Sequence, residues 1–573
     1  MATHVYIKKK KSVAVDGLVI LGIGALIYSS FLFAAEWEAK FNPGFQIDLS
    51  LSALPVYSLF SAMRGLGAYF ISLIFTLIIG YWAARSSSAE RIILPLLDIF
   101  QSIPVLGFLP GLVLGLVAIF PLTNVGLELA AILMIFTGQV WNMTFAFYSS
   151  LKSIPSDLNE ACDVMNLSKT QRCLRLELPF SAVNLAWNSI MSMAGGWFFL
   201  TVCEAFTLGN KEYRLPGLGA YMAVAIEKGD THAMIAAVCA MALVIIMLDL
   251  LIWRPALSWV HKFRLENTSP GVTDDYLLKF IFKNSVVLRF FQSKLIQRKR
   301  QKLIKAKIPS IIWPRHKALK LPALNLHWLT RVLQGCILFL LVFGSYRLLE
   351  VISTIKKDQW VLIMTSTGLT FLRVCGSLLI ATLWALPFGI WLSQGQKRLK
   401  IAQPIAQLMA SFPAPMLYPL VLSVSFGLGI HFSWSSMILM LLGVQWYILF
   451  NTLAGGLRVS KEIEDSMNLM GSSSWSKWRY LYIPSAFPAL VTGWVTAAGG
   501  AWNASIVAEY LSYKGTTIQT EGLGSLISQS AAKADFPMLT ACLVIMVLFV
   551  VLFNRLVWSK IYKISQNRFR LDF

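Results

Sequence analysis

Residues 195–204 read GGWFFLTVCE, and residues 500–509 read GAWNASIVAE. Each stretch has a Trp seven residues before a Glu, and each is followed by Gly-Leu-Gly, at 217–219 and at 522–524. The same residues in the same order and at the same spacing indicate that the chain carries one unit twice. Because both copies must then fold alike, this duplication constrains the fold more strongly than any single motif.

The duplication extends well beyond these stretches. Residues 138–258 recur without a gap as residues 443–563, at an offset of 305 (509 − 204 = 305). An upstream block recurs at an offset of 309, where Arg64 aligns with Arg373. Internal symmetry of this kind is common in membrane transport proteins, whose sites lie between the repeats. The sequence therefore predicts two copies of one unit, with any site between them.

The composition is typical of a membrane protein. Of the 573 residues, 56% are hydrophobic and only 14% are charged, and the mean hydropathy is +0.64. Apolar runs of about twenty residues recur, long enough to cross roughly 30 Å of hydrocarbon as helices. We expect an all-α polytopic membrane protein with about twelve transmembrane helices in two six-helix units. The expected spans lie near 17–35, 57–84, 93–120, 127–150, 180–206, 233–256, 332–350, 362–393, 402–429, 433–456, 485–511 and 537–558.

The net charge of +22 is concentrated in the middle of the chain, where residues 254–331 carry seventeen Lys and Arg against three acids. A basic run can bind nucleic acid, but cytoplasmic loops of membrane proteins are also basic. We favour the second interpretation and expect no nucleic-acid partner, because basic residues also precede the first span and follow the last. The predicted domains are a first unit at 1–258, a basic cytoplasmic linker at 259–330 and a second unit at 331–573, with both termini cytoplasmic.

A polar loop follows the fourth expected span of each copy. The first, at 156–172, contains Glu160-Ala161-Cys162-Asp163-Val164-Met165-Asn166 and leads to Pro179; the second, at 461–477, contains Asp465-Ser466-Met467-Asn468-Leu469-Met470-Gly471 and leads to Pro484. The spacing predicts a short helix, a turn and a second helix that ends before Pro. A helix with a small apolar face either docks in a groove of a partner or lies at the membrane interface. Two copies at one spacing favour docking.

These loops resemble the EAA loop of ABC-importer permeases, whose pattern is Glu-Ala-Ala, three residues, Gly and later a Pro. Glu160, Ala161, Pro179, Gly471 and Pro484 agree with that pattern, whereas Cys162, Asn166, Asp465, Ser466 and Met467 depart from it. In that family the short helix sits in a cleft of the ATPase subunit and transmits its closure to the spans. The resemblance implies that these residues couple the chain to an ATPase.

A second resemblance, to the nitrate/sulfonate/taurine/bicarbonate group of ABC permeases, covers both copies. It rests on Thr370-Phe371-Leu372-Arg373-Val374, on Ile103-Pro104 and Phe412-Pro413, on Trp502, Ala508-Glu509 and Gly522-Leu523-Gly524, and on Trp197, Glu204 and Gly217-Leu218-Gly219. It implies two fused type I permease units in a bacterial inner membrane that import a small anion such as nitrate, sulfonate/taurine or bicarbonate. The implied partners are a cytoplasmic ABC ATPase dimer, an outer substrate-binding protein and the lipid bilayer. A small heterocycle or an amine stays an alternative substrate.

Repeated residues in the spans are candidates for the pathway or its outer gate: Arg64, Arg373, Trp197, Trp502, Glu204, Glu509, Gly217, Gly219, Gly522 and Gly524. The two Arg either attract an anion or snorkel to the headgroups. The two Glu either line the pathway, brace the Gly-Leu-Gly segments or lie in the headgroup zone, and we favour bracing. The two Trp either form a cavity wall or pack within the spans. The resemblance makes the Gly-Leu-Gly segments candidates for the outer gate.

The sequence contains no Gly-X4-Gly-Lys-Ser/Thr phosphate loop and no His-Glu-X-X-His pair, and we find no nucleophile constellation. We therefore expect a transport subunit without catalytic residues, metal or cofactor of its own, with ATP and Mg²⁺ bound by the partner ATPase. An ion-coupled secondary transporter with internal repeats is the alternative, although paired charges are few in the spans. A scaffold that recruits partners through the basic linker is a third hypothesis.

Overall fold

The computed structural model describes residues 24, 28, 30–42, 44–102, 104–209, 211–263, 339 and 342–568. The chain forms two compact units, one of residues 32–269 with 356–573 and one of residues 1–31 with 270–355. In the second of these the described part is chiefly a helix over 342–353, where Arg347 pairs with Glu350 at 2.8 Å. The predicted linker lies outside the described residues from 264 to 330, and the expected spans 17–35 and 332–350 are described only in part.

Both copies of the repeat lie in the larger unit and have the same order of elements. The first half contains α1 (Leu54–Phe75), a π-helical turn (Thr76–Gly80), α2 (Tyr81–Arg85), α3 (Ser87–Ser102), a 3-10 turn (Val105–Phe108), α4 (Leu109–Ile119), α5 (Val125–Lys152), α6 (Ser156–Val164), α7 (Lys169–Arg172), a π-helical turn (Cys173–Glu177), α8 (Leu178–Cys203), β1 (Ala205–Leu208), β2 (Lys211–Arg214), α9 (Leu218–Lys228), α10 (Thr231–Leu248), a π-helical turn (Asp249–Trp253), α11 (Arg254–Val260) and a 3-10 turn (His261–Phe263).

The second half repeats this order from α12 onward. It contains α12 (Lys357–Ser393), α13 (Gln396–Ser411), α14 (Ala414–Gly427), α15 (Phe432–Gly456), α16 (Lys461–Leu469), α17 (Ser474–Lys477), a π-helical turn (Trp478–Tyr482), α18 (Ile483–Ala508), β3 (Tyr510–Tyr513), β4 (Thr516–Gln519), α19 (Leu523–Ala532), α20 (Phe536–Phe553), a π-helical turn (Asn554–Trp558) and α21 (Ser559–Arg568).

Long apolar helices confirm the predicted fold class. Within the described residues seven helices are long and apolar enough to cross a membrane, or eight if one bent pair counts as a span. The seven are Leu54–Arg85, Val125–Lys152, Thr231–Val260, Lys357–Ser393, Phe432–Gly456, Ser474–Ala508 and Phe536–Ser565. The protein is therefore a multi-pass, almost wholly helical membrane protein.

The third expected span of each copy, at 93–120 and 402–429, is broken and is not one continuous helix. In the second half, α13 and α14 are separated at Phe412–Pro413 and meet at 90°. In the first half the helix likewise ends before Pro104. Pro disfavours helical geometry at the residue before it, and both breaks fall at an X-Pro pair.

A small antiparallel hairpin follows the fifth span of each half and was not predicted. Strand β1 pairs with β2, and β3 pairs with β4. The backbone N–H of Gly209, at the tip of the first hairpin, donates to the carbonyl of Ala531 in the other half at 3.2 Å. At the tip of the second hairpin, a Cβ on Gly515 would lie 3.4 Å from the carbonyl oxygen of Glu227. Each hairpin tip thus packs against the end of the helix that follows Gly-Leu-Gly in the other half.

Candidate functional site

The two predicted docking loops contain the expected short helices, α6 and α16. The apolar side chains at the ends of these helices are exposed: Val164 is 82% exposed and Leu469 is 90% exposed. The turn after each helix is made by Asn166 and Gly471, whose φ angles of 49° and 68° lie in the left-handed region. Asn and Gly are the residues that adopt this conformation at least cost, so the repeated turn position has a direct conformational reason.

Each short helix is tied to the helix that follows it by a pair of residues at the same repeat position. In the first loop Arg172 donates to Asp163 at 3.0 Å and to Asn159 at 2.6 Å. In the second loop Lys477 donates to Asn468. At the start of α16, hydrogen bonds from its own backbone and from Ser460 lower the pKa of Glu462. Each short helix is therefore hydrogen-bonded to the helical segment that leads into the next long helix.

The helix after each loop does not end before Pro, which corrects that expectation. The chain passes from α7 through the π-helical turn Cys173–Glu177 into α8, with Pro179 in the first turn of α8. The second half does the same through Trp478–Tyr482, with Pro484 in the first turn of α18. The π-helical turn accommodates the backbone donor that Pro lacks, so the helix runs without a break from α7 into α8 and from α17 into α18.

The predicted coupling residues form an exposed group and a group that packs on the protein. Glu160, Ala161, Asp465 and Ser466 are exposed, as are the turn residues Asn166 and Gly471. Cys162 is buried, and Met467 packs on the cluster that contains Leu481 and Tyr482. Cys162 and Met467 therefore anchor the short helices to their own halves, whereas the exposed group is available to a partner.

A buried ionic cluster in the first half holds the Gly-Leu-Gly segment. Arg64 donates to Glu204 at 2.8 Å, to both carboxylate oxygens of Glu128 and to the carbonyl of Pro216. Glu204 also accepts from Ser61 at 2.7 Å and from the backbone N–H of Gly219 at 2.6 Å. Arg64, Glu128 and Glu204 have no exposed surface. The cluster joins three helices to the first turn of α9.

The second half builds a similar cluster, in which Ser433 replaces Glu128 and Thr520 adds a contact to Arg373 at 3.1 Å. Arg373 donates to Glu509 at 2.7 Å, and Glu509 accepts from Thr370 at 2.9 Å and from the backbone N–H of Gly524 at 3.0 Å. The Nε and Nη2 atoms, which in Arg64 meet Glu128, here both donate to Ser433. The first cluster thus contains two carboxylates for one guanidinium, and the second contains one.

Neighbouring atoms lie so close to both glycines of each Gly-Leu-Gly segment that neither position has room for a side chain. A Cβ on Gly219 would lie 2.6 Å from the carbonyl oxygen of Thr201. A Cβ on Gly217 or Gly522 would overlap the carboxylate of Glu204 or Glu509, and one on Gly524 would overlap the carbonyl of Ser505. Only a residue without a side chain lets the backbone N–H groups reach the carboxylate.

The sequence identified the Arg, Glu and Gly members of these clusters but missed five of their side-chain partners: Ser61, Glu128, Thr370, Ser433 and Thr520. Ser61 and Thr370 stand at the same repeat position, three residues before each Arg, and that spacing was a usable signal. Glu128 and Ser433 differ between the copies, so the repeat gave no sign of them.

A cavity of about 200 Å³ lies between the two halves. Its lining includes Gln101, Thr137, Trp141, Asn142, Phe198, Trp446, Tyr447, Thr496, Trp502, Asn503 and Trp558. None of the described residues that line it is Asp, Glu, Lys, Arg or His. Of the predicted pathway residues, Trp502 lines this cavity, whereas the buried Trp197 packs beside Gly65. Among the described residues no group of three or more His, Cys, Asp or Glu is placed to hold a metal ion.

Comparison with known proteins agrees with this architecture. The pattern of the family described as "Binding-protein-dependent transport system inner membrane component" matches residues 76–252 and 385–570, once in each half. The two matches together cover more than half of the chain.

Each individual relative aligns with about a third of this chain. An ABC transporter permease protein of Methanocaldococcus jannaschii is 25% identical over 210 residues, which is 35% of this chain and 75% of the relative. A glycine betaine transport system permease protein of Bacillus subtilis is 28% identical over 189 residues, 31% of this chain and 58% of the relative. A taurine transport system permease protein of Escherichia coli is 27% identical over 162 residues, 28% of this chain and 54% of the relative. With the family matched twice, the chain belongs to the binding-protein-dependent transport system inner membrane components, the permeases of ABC transporters.

Proposed function

We propose that this chain is the membrane-spanning permease subunit of an ATP-driven ABC importer, in which two fused permease units pass a small solute between them. The proposal rests on two features that occur together. One is the cavity between the halves, and the other is a pair of surface-exposed short helices, α6 and α16, at the same repeat position. A single chain with both features supplies the two docking sites that an ATPase dimer needs.

The proposed docking surface is the exposed part of each short helix and its turn. Val164 and Met165 in the first loop, and Leu469 and Met470 in the second, offer exposed apolar side chains beside the acids Glu160 and Asp465. A short helix with apolar anchors suits a groove in a cytoplasmic ATPase subunit. ATP and Mg²⁺ bind to that subunit, and an outer binding protein delivers the solute. The basic segments orient both loops and both termini toward the cytoplasm of a bacterial inner membrane.

The chemistry of the cavity narrows the range of candidate substrates. The described cavity lining contains no cationic side chain. An anion such as nitrate or bicarbonate would therefore be buried there without a counter-charge, which is costly. Taurine and glycine betaine, named for two relatives, each carry one positive and one negative group. Among the solutes that the sequence suggests, the uncharged cavity therefore favours a zwitterion such as an aminosulfonate.

The test is ATP hydrolysis by this chain reconstituted in lipid with the partner proteins that co-purify with it. The wild type is compared with the Glu160→Lys, Asp465→Lys double variant. We expect solute-stimulated hydrolysis in the wild type and loss of the ATPase from the double variant. Asp358→Lys, at an exposed position in the first turn of α12, is the matched charge-reversal control. Full coupled activity in the double variant would contradict the docking assignment and favour an ion-coupled transporter.

A further inference from the structure

One buried carboxylate joins the first docking loop to the end of a long helix. Glu177, in the π-helical turn after that loop, is 1% exposed and forms an ion pair with Arg85, the last residue of α2. Its Oε1 atom also lies 3.5 Å from Nε of Arg172. Arg172 in turn donates to Asp163 and Asn159 of the short helix α6. A continuous chain of charged and polar contacts therefore runs from α6 to the end of α2.

The second half links the same elements by different chemistry. The repeat aligns Arg85, Asn159 and Glu177 with Gln394, Glu464 and Tyr482. The hydroxyl of Tyr482 donates to Glu464 in α16 at 2.9 Å, so here the acid stands on the short helix and not in the turn. Gln394, at the C-terminal end of α12, has no charge to replace that of Arg85. Instead Tyr482 packs in an apolar cluster with Ile390 of α12, and Met467 of α16 packs against that cluster. The link to the long helix is thus ionic in the first half and apolar in the second.

The ionic link is also incompletely hydrogen-bonded. The Oε2 atom of Glu177 and the Nε atom of Arg172 are both buried, and neither has a hydrogen-bond partner among the described residues. The 3.5 Å between Arg172 and Glu177 is a charge contact, whereas a charge-assisted hydrogen bond is about 2.7–2.9 Å long. A shift of less than about 1 Å in the turn would therefore bring the two side chains into a hydrogen-bonded pair. The link can tighten in this way while Glu177 keeps its contact with Arg85.

We propose that Glu177 is a positioning residue for ATP-driven transport that acts through Arg85: it holds the first docking loop to the end of α2, so that the loop and this helix move together. A buried carboxylate keeps its cationic partners close, because leaving it without them is costly. The inference rests on the proposed function for the ATP-driven movement of the loop. The link itself belongs to this chain alone and can be measured without the ATPase.

The first experiment measures the link as the distance between two spin labels on the purified full chain in lipid nanodiscs. The labels are attached at Asp157→Cys, an exposed position of α6, and at Ser87→Cys, an exposed position beside the end of α2, in a background without native cysteines. Glu177→Gln keeps the shape of the side chain and removes its charge, and it leaves Arg172 bonded to α6. No buried charge is then left without a partner, so this variant should fold.

Asp249→Asn is the matched control. It removes the charge from another π-helical turn of the same half, where Asp249 pairs with Arg254 at 2.8 Å. We expect a wider distribution of label distances in Glu177→Gln and an unchanged distribution in Asp249→Asn. Arg85→Lys, which keeps the positive charge, should also leave the distribution unchanged. The Arg85→Gln, Glu177→Gln double variant should widen it no further than Glu177→Gln does, because both substitutions remove the same contact.

The second experiment measures solute transported per ATP hydrolysed by the chain reconstituted in vesicles with its co-purifying partners. Glu177→Gln should retain the ATPase and lower this ratio about threefold or more, because hydrolysis continues while the loop moves without α2. The Asn159→Glu, Glu177→Tyr double variant copies the hydrogen bond between Tyr482 and Glu464 into the first half. It restores a link within the loop but not the link to Arg85, and so it should not restore the ratio.

An unchanged distance distribution in Glu177→Gln would overturn the proposal. A restored ratio in the Asn159→Glu, Glu177→Tyr variant would also overturn it, because Arg85 would then not be needed. Loss of the ATPase from Glu177→Gln would make Glu177 a docking residue and contradict the positioning role. If the distance distribution widens as expected but uptake is independent of ATP, the proposed importer function fails, while the positioning of the loop by Glu177 stands.

Discussion

The carboxylate of Glu204 accepts a hydrogen bond from the backbone N–H of Gly219 at 2.6 Å. An acid within a membrane protein is costly unless its charge is matched. Here Arg64 supplies the opposite charge, and the first turn of α9 supplies a free backbone donor with the favourable end of its helix dipole. The acid thus fixes where the helix begins, and the same relationship joins Glu509 to α19.

The two clusters differ in how well they tolerate loss of this acid. In Glu509→Ala, Arg373 keeps Ser433 and Thr520 but no other carboxylate among its described partners. Breaking a buried pair in this way costs about 3–5 kcal/mol. Glu204→Ala should lose less, because Arg64 keeps the two-oxygen contact with Glu128. Thermal unfolding of both variants in nanodiscs, with Glu212→Ala as an exposed control, compares them. Equal shifts in the midpoint would contradict this account.

Replacement of Gly219 should destabilise the protein although Ala is the smallest change. The new Cβ would lie 2.6 Å from the carbonyl oxygen of Thr201, so the backbone must shift. We expect a loss of about 1–3 kcal/mol in the free energy of unfolding. Gly111→Ala is the control, because no atom lies within 4 Å of its Cβ position in α4 and Ala favours helix there. The two variants should shift the unfolding midpoint in opposite directions, and a neutral Gly219→Ala would argue against close packing.

The two docking loops should not be equivalent. Cys162 and Met467 occupy the same repeat position, yet they anchor the short helices with side chains of very different size. Glu160→Lys and Asp465→Lys, made singly, should therefore reduce ATP-driven uptake by different amounts when one kind of ATPase subunit serves both loops. Uptake by reconstituted vesicles measures the difference. Identical losses would mean that the loops work interchangeably.

A disulfide should form between the two halves at the hairpin end of the molecule. A Cβ on Gly209 would lie 3.4 Å from the Cβ of Ala534, just below the range of roughly 3.5–4.5 Å found in disulfides, and a Cys at Gly209 would have to adopt the left-handed φ of 59°. In a background without native cysteines, Gly209→Cys with Ala534→Cys should cross-link under oxidation and stop uptake. Reductant should restore uptake, whereas the single-cysteine variants should not respond to oxidant. Cross-linking with undiminished uptake would show that this contact need not open.

Sequence reasoning found the parts of the structure that the repeat marks twice. The Arg and Glu of each cluster, the glycines and the turn residues Asn166 and Gly471 all recur at fixed offsets, and bracing was the favoured role for the two acids. The role of Glu128 could not be inferred in this way, because it acts on Arg64 across 64 positions and its counterpart is Ser433. The hairpins escaped detection because their strands are four residues long and lack a clear alternation. The breaks at Pro104 and Pro413 had a local signal, which the length of the apolar runs outweighed.

The hydrogen bond from Gly209 to Ala531, with its counterpart contact between Gly515 and Glu227, ties each hairpin to the opposite half. Neither half can withdraw its own hairpin without also disturbing the helix end of the other. Any movement that separates the two halves at this end must therefore break both contacts.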